Sequence, residues 1–282
     1  MRIIADCGST SCKWTIEGKE RRLGGSGINP SVMSPLELAL GFETNEKLFP
    51  DLAKNEVTQV NFYGTGCIND KAKAIVSDWL RNIFPLAEII VESDLFGACL
   101  AVHADGKNVA VGILGTGSAA AGFNGTDVTR ITPSLGYQLA DEGAGSDIGR
   151  RLLLAYLYSE LPKELFDAFY ARFPETETNW VIDKVYTQQA GSAFLAQHTQ
   201  LAVDYPEHPY IQETVSEAFS IFIRRHLKPL LNNGFNHAGI IGSVGFGFKN
   251  LLEPMLLDAG FESVTIVRNP LDALPDKVWG SL

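Results

Sequence analysis

Asp6-Cys7-Gly8-Ser9-Thr10-Ser11-Cys12-Lys13-Trp14 decides how the rest of the chain is read. The apolar run Ile3-Ile4-Ala5 leads into it and Trp14-Thr15-Ile16 leads out. Strand, short tip of glycine and hydroxyls, strand is the pattern of a hairpin. Such a tip presents several backbone N–H groups to one anion. Ser9, Thr10 and Ser11 add side-chain donors, and Lys13 adds charge. Asp6 would repel a bare phosphate but suits one that shares a divalent cation with it. Taken alone, the stretch reads equally well as a polar turn with no ligand.

A second copy breaks the tie. Residues 109–114 are another apolar run, Gly115-Thr116-Gly117-Ser118 is its tip, and Ala119-Ala120-Ala121-Gly122-Phe123 leaves it. Two such hairpins far apart in one chain point to a duplicated domain with a nucleotide between the halves. Neither tip is a P-loop, and no G-x-G-x-x-G follows a strand, so a Rossmann site is unsupported.

At 282 residues the chain makes one large or two medium domains. The polar hinge Asp105-Gly106-Lys107 sets the expected boundary. The first domain is then 1–105 and the second 106–282, with a helical insertion over about 151–235 and with residues 270–282 packing back on the first. Lys and Arg total 23 against 33 Asp and Glu, a net charge of −10. No basic stripe offsets that, which argues against nucleic acid as a partner. Cys7, Cys12, Cys67 and Cys99 form no C-x-x-C pair and read as buried thiols of a reducing cytosol. No signal peptide or membrane-spanning run is legible, so the expectation is a cytoplasmic protein without a membrane partner.

Along the chain, 21–23 reads as the third strand of a meander, 24–30 as a glycine-rich loop, and Ser31 or Ser34 caps a helix over 35–41. Asn29 reads either as a turn residue before Pro30 or as a donor and acceptor for a polyol. Residues 46–56 are expected to form an amphipathic helix. A strand over 57–63 ends in the tight turn Gly64-Thr65-Gly66-Cys67, where ligands of open α/β sheets gather, which makes Gly66 a candidate. Asn69 or Asp70 caps the next helix. Asp94 stands at a strand-to-helix junction, as an N-cap or as a general base, and Ser93 could cap in its place. Asp141-Glu142-Gly143-Ala144-Gly145-Ser146 precedes another helix; its acids complement a helix N-terminus, while its glycines let backbone approach a ligand. A long helix is expected over 210–232, with Arg224-Arg225-His226 as a solvated face. Gly242-Ser243-Val244-Gly245-Phe246-Gly247, between a strand over 238–241 and a helix, suits part of a nucleotide.

The ordered set of acid-bearing hairpin, strand-end Asp94, GTGS hairpin, DEG-x-G-S and glycine turn resembles the actin-like ATPase fold of sugar kinases, Hsp70 and actin. Within it the chain resembles the N-acetylglucosamine kinase branch of the ATPase family that includes the benzoyl-CoA reductase and 2-hydroxyacyl-CoA dehydratase activators. The resemblance covers nearly the whole chain, and its most specific pieces are Gly115 to Ser118 and Asp141-Glu142-Gly143. It implies an α/β, ribonuclease H-like fold of two similar domains around a nucleotide cleft, with a helical insertion in the second. It implies ATP and Mg²⁺ as cofactors, an amino sugar as acceptor and a homodimer. By residue, it implies that Asp6 orients Mg²⁺ through water and that Gly8, Ser9 and Thr10, with Lys13 beside them, hold one part of the triphosphate. Gly115, Thr116, Gly117 and Ser118 would hold the other part, and Gly242, Ser243 and Gly245 would face the adenosine. Asn29, Gly66, Asp94, Asp141 and Glu142 would bind the sugar, with Asp94 as base.

Two positions depart from that pattern. Ala119 stands where these kinases usually have Asn directly after GTGS, and Leu135 where they tend to have Trp before DEG. Both lie near the sugar in the family, so an acceptor such as N-acetylmuramic acid enters beside N-acetylglucosamine. An activator ATPase is ranked below a kinase, because its cluster-binding cysteine pair follows the hinge and every cysteine here lies at or before Cys99. A non-catalytic sugar sensor on the same fold is the other alternative.

Overall fold

The computed structural model describes residues 1–282 except Thr10, Asp51, 187–190 and 281–282. The chain divides into two compact units: Met1–Ala101 together with the segment from Pro270 onward, and Val102–Asn269. Each unit is built on one five-stranded sheet, and the two sheets have the same plan.

In the first unit, β1 (Arg2–Cys7), β2 (Ser11–Ile16) and β3 (Leu23–Ser26) form an antiparallel meander. β4 (Gln59–Gly64) and β5 (Glu88–Ser93) then add in parallel on the other side of β1, giving the order β3-β2-β1-β4-β5. In the second unit β6 (Val109–Leu114), β7 (Ser118–Phe123) and β8 (Val128–Thr129) repeat the meander. β9 (His237–Ile241) and β10 (Ser263–Val267) repeat the parallel pair, in the order β10-β9-β6-β7-β8. Ile3, Ile4 and Ala5 of β1 and Val109, Ala110 and Val111 of β6 are all buried, the continuous apolar run of a strand covered on both faces.

Local chemistry sets the helices that flank the first sheet. α1 (Pro35–Glu46) starts on a capping box in which Ser34 Oγ accepts from Glu37 N–H and Glu37 answers to the Ser34 N–H, with Pro35 at the first helical position. α2 (Asp70–Ile83) is capped by Asn69, whose Oδ1 accepts from Ala72 N–H at 3.0 Å. α3 (Asp94–Val102) follows β5 directly. The core of this unit is aromatic: Trp14 packs on Phe49, Phe62 and Trp79 with ring centroids 5.3, 5.9 and 6.1 Å apart. The buried indole N–H of Trp14 is satisfied by Asn45 Oδ1 at 2.8 Å.

Two expectations for this region are corrected. The helix expected to stop near residue 41 runs on to Glu46, and 46–56 holds only a 3₁₀ turn, Lys54–Glu56, among its described residues. Pro50 falls where a second helix would need an interior N–H, so α1 takes the apolar residues before it and the chain then turns. The loop expected over 24–30 begins as strand β3, paired with β2 from Trp14↔Leu23 to Ser11↔Ser26. Its residues have little strand propensity; cross-strand pairing and the bond from Asn45 Nδ2 to Ser26 O, 2.8 Å, hold it.

The second unit packs its helices, from α4 (Gly145–Leu157) onward, around Phe169, Phe219, Phe222 and Leu252. The long helix expected over 210–232 is a helix at Pro209–Phe222, a π-helical turn at Ile223–Leu227, and a last turn at Lys228–Leu231. No helix among the described residues is long and apolar enough to cross a membrane.

His198 is fully buried in this core, between the rings of Phe169, Phe173 and Phe194 at 5.5, 4.7 and 5.1 Å. Its Nδ1 bonds to Leu195 O at 3.2 Å, and burial pushes its pKa down to about 4. The unfolded chain binds a proton here near pH 6.5 and the folded chain does not. The contribution is therefore complete above pH 6.5 and is lost as pH falls toward 4, by on the order of 3 kcal/mol. Thermal melts of wild type and His198→Gln from pH 8 to pH 4 test this. The variant is expected to lose less stability on acidification; parallel profiles would assign the loss to other groups.

Candidate active site

The register of the first sheet puts its site residues on one edge. Cys7 of β1 pairs with Gly64 of β4, and Gly64 with Ser93 of β5. One step beyond each strand end stand Gly8, Thr65 and Asp94. The hairpin tip is closed by Gly8 N–H on Ser11 O at 2.9 Å, with Ser9 exposed. Thr10 lies outside the described residues. Asn29 is buried and donates through Nδ2 to Ser9 Oγ at 3.0 Å, while its Oδ1 accepts from Ser31 N–H at 3.2 Å. The acceptor candidate Asn29 and the phosphate candidate Ser9 are thus directly bonded.

Gly66 explains why the turn after β4 has its composition. Its φ is +80°, and a Cβ there would lie 2.0 Å from Asn29 Oδ1. Gly66→Ala is expected to push Asn29 off Ser9, costing roughly 1–3 kcal/mol of stability and weakening any ligand of Asn29. A melt beside acceptor KM measures both, and an unchanged KM would remove Asn29 from the acceptor site.

Asp94 is held from two sides. Leu95 N–H donates to Oδ1 at 2.8 Å, and the Thr65 hydroxyl donates to Oδ2. Ser93 Oγ accepts from Phe96 N–H at 3.2 Å, so Ser93 caps α3 and the Asp94 carboxylate is held at the strand end. Asp6 lies opposite Lys13 in the β1–β2 register. Burial pushes its pKa up to about 6; Asp94 adds to the rise, while Lys13 and Arg22 oppose it. A carboxylate kept out of water beside a second one suits an oxygen-seeking divalent cation. Among the described residues no group of three or more His, Cys, Asp or Glu could hold a metal alone. Asp6 would suit a divalent cation only if the cation's other oxygen ligands came from elsewhere.

The second unit repeats the arrangement. Gly145 N–H and Ser146 N–H, at the start of α4, donate to Gly115 O at 2.8 Å and Thr116 O at 3.0 Å. The carbonyls of the tip thus point into the protein. Among the described residues, the N–H groups of Thr116 and Gly117 have no hydrogen-bond partner, which leaves them free for an anion. Ser118 N–H donates to Asp141 Oδ1 at 3.2 Å. Asp141 has φ 61°, a left-handed conformation that is uncommon off glycine and tends to mark functional loops. Burial raises the Asp141 pKa, Ser118 N–H opposes the rise, and Glu142 adds to it. Gly242 follows β9, and the helix Ser243–Gly247 follows it, with Ser243 exposed and Gly245 buried.

Glu142 departs from its expected role as a bare sugar ligand. His226 Nε2 bonds to its Oε2 at 2.9 Å, Arg225 pairs with its other oxygen, and Thr132 Oγ1 meets His226 Nδ1 at 3.1 Å. Burial raises the Glu142 pKa, but the His226 and Arg225 bonds outweigh it and hold the carboxyl below its usual value. Gly143 N–H donates to Asp147 Oδ2 at 3.1 Å, which pins the other end of the same loop. The reading of Arg224-Arg225-His226 as a solvated face is corrected for His226, which is buried against Glu142; Arg225 stays half exposed while pairing with the same carboxylate. Sequence reasoning missed Thr65, Thr132 and His226 as parts of the site. One signal was present for His226, which continues the apolar stripe Val215, Phe219, Phe222.

Two sheets of identical plan, each opened by a glycine-and-hydroxyl hairpin, define the actin-like ATPase fold. Solved structures with the same fold span essentially the whole chain. A protein from Porphyromonas gingivalis, provisionally named an N-acetylglucosamine kinase, superposes with a TM-score of 0.87 and 26% identity over 98% of each chain. One from Chromobacterium violaceum with the same provisional name gives 0.61 and 16% over 97% of each. A glucokinase of the ROK family from Streptomyces griseus, solved with glucose and AMPPNP, gives 0.52 and 14% over 98% of this chain and 97% of its own. No protein-family model matches the chain, so the expected placement with the reductase activators gains no support. No curated protein matches it either.

Proposed function

We propose that the protein is an ATP-dependent sugar kinase whose acceptor is an N-acetylated amino sugar. The observation that carries it is Asp94, fixed by Thr65 and Leu95 on the same sheet edge as the Gly8–Ser9 tip and Asn29. Phosphoryl transfer to a hydroxyl needs positioning, phosphate neutralisation and one carboxylate at the attacking oxygen. The Thr116 and Gly117 amides receive phosphate oxygens, with Gly8, Ser9, Thr10 and Lys13 supplying donors and charge on the first sheet. Bound Mg²⁺ supplies charge neutralisation, with Asp6 beside it. Asn29 and Asp141 orient sugar hydroxyls, and Asp94 takes the proton of the attacking one. Gly242, Ser243 and Gly245 face the nucleoside. The resemblance to the P. gingivalis protein supports the amino sugar as acceptor. Ala119 and Leu135, the latter exposed, keep N-acetylmuramic acid in the proposal beside N-acetylglucosamine. A homodimer and a cytoplasmic setting belong to the same proposal.

The test is coupled ATP consumption with and without Mg²⁺ against N-acetylglucosamine, N-acetylmannosamine, N-acetylmuramic acid, glucosamine and glucose. Turnover is expected only with Mg²⁺ and an N-acetylated sugar. Sugar binding without ATP consumption would replace the kinase by a sensor. ATP consumption indifferent to sugar would replace it by an ATPase of another kind.

A further inference from the structure

A cavity of about 500 Å³ opens in the second unit beside the Asp141-Glu142-Gly143 loop. That volume is in the range of small-molecule sites. It is lined by Arg150 and Arg151 of α4 and Arg225 of the π-helical turn, against the carboxylates of Glu142 and Asp147. In a chain of net charge −10, its lining side chains sum to a positive charge. Asp141, the proposed sugar ligand, does not line it.

The carboxylates leave much of the guanidinium capacity unused. Asp147 engages one nitrogen of Arg150 at 2.8 Å and one of Arg151 at 3.1 Å; Glu217 takes a second of Arg151 at 3.3 Å, and Glu142 one of Arg225. Each guanidinium carries five N–H donors in a planar fork. Arg150 and Arg225 have about half of their side-chain surface exposed, at 47% and 56%, so their remaining donors face open space. Tyr137, Leu139, Val185 and Ile221 are among the other lining residues, and the Tyr137 hydroxyl is steered by its bonds to Gln138 and Val185. Cationic forks, each anchored through one nitrogen beside aromatic and aliphatic walls, match a ligand with one oxyanionic group on a compact apolar or ring-shaped body.

We propose that this cavity binds such a molecule, a carboxylate or phosphate monoester, with its oxyanion on Arg150 and Arg225. Because Arg225 also pairs with Glu142, an anion there competes with the carboxylate that steadies the Asp141 loop.

Calorimetric titration of the full chain, with no nucleotide or sugar present, tests the site independently of the kinase proposal. Phenyl phosphate, phenylacetate and benzyl alcohol are the probes. The anions are expected to bind at roughly millimolar Kd or tighter, with the neutral alcohol at least about tenfold weaker. Whichever anion binds more tightly identifies the oxyanion class. Arg150→Ala and Arg225→Ala, checked for folding by circular dichroism, are each expected to weaken the anions about tenfold. Arg150→Ala leaves the Glu142 contacts in place, so it remains informative if Arg225→Ala fails to fold. Failure of both anions to bind at millimolar concentration, equal binding of the alcohol, or anion binding unchanged in Arg150→Ala would overturn the site. An anion signal lost instead in Ser118→Ala would place that binding at the hairpin.

Discussion

Asp94→Asn is expected to lower kcat by about 10²–10⁴ with a change in acceptor KM of no more than a few fold. The amide keeps an oxygen to accept from Leu95 N–H, so the side chain stays at the end of β5. What it loses is the ability to take a proton, and a group lost only from the transition state shows in kcat. Thr65→Val separates orientation from basicity. It leaves the carboxylate intact and removes one of its two holding bonds, with an expected loss of roughly 10–100-fold for a hydrogen bond to a charged group. Steady-state kinetics on both variants, with circular dichroism as a folding control, is the measurement. A rise in KM with kcat unchanged for Asp94→Asn would make Asp94 a sugar ligand rather than the base.

Gly242→Ala is expected to give the largest loss of stability among the site glycines, about 2–5 kcal/mol, or a fall in Tm of roughly 5–15 °C for the second unit. Its backbone sits at φ 126°, ψ 160°, a region that L side chains rarely adopt. A Cβ there would lie 2.2 Å from the Leu114 carbonyl oxygen, where the obstacle is backbone and cannot swing away. Relief would require β9 and β6 to move apart at the level of Ile113↔Ile241. Because Leu114 leads directly into the Gly115 tip, the same displacement should raise KM for ATP. Gly247→Ala, with open space around its Cβ, is the control on the same short helix. Differential scanning calorimetry of both variants decides it, and similar melts would remove the steric argument.

Much of the architecture was legible because its signals are local. Each hairpin is an apolar run, a glycine-and-hydroxyl tip and another run within about fifteen residues, and no distant contact is needed to recognise it. The caps narrow to Ser31 or Ser34 and to Asn69 or Asp70 on sequence, since a cap is a contact between neighbours; Ser34 and Asn69 serve. The duplicated sheet followed from the two hairpins. What stayed hidden depends on distant partners. Thr65 meets Asp94 because β4 and β5 end in register, 29 residues apart in sequence. His226 reaches Glu142 over 84 residues, and a π-helical turn sets its direction. The third strand of the meander, expected over 21–23, runs over Leu23–Ser26 instead; the low strand propensity of Gly24 and Gly25 hid that extent, since its order comes from β2 and Asn45.

The return of the chain to the first unit has a consequence for synthesis. Arg2 Nη1 donates to Trp279 O at 2.9 Å, Arg22 pairs with Asp272 at 2.7 Å, and Leu271 and Leu274 are buried. The ribosome delivers β1 first and these partners after all of the second unit has emerged. At about 5–20 residues per second, the first sheet spends on the order of ten seconds or more with that part of its surface uncovered. A ribosome-stalled chain ending before Pro270 is therefore a natural client for chaperones.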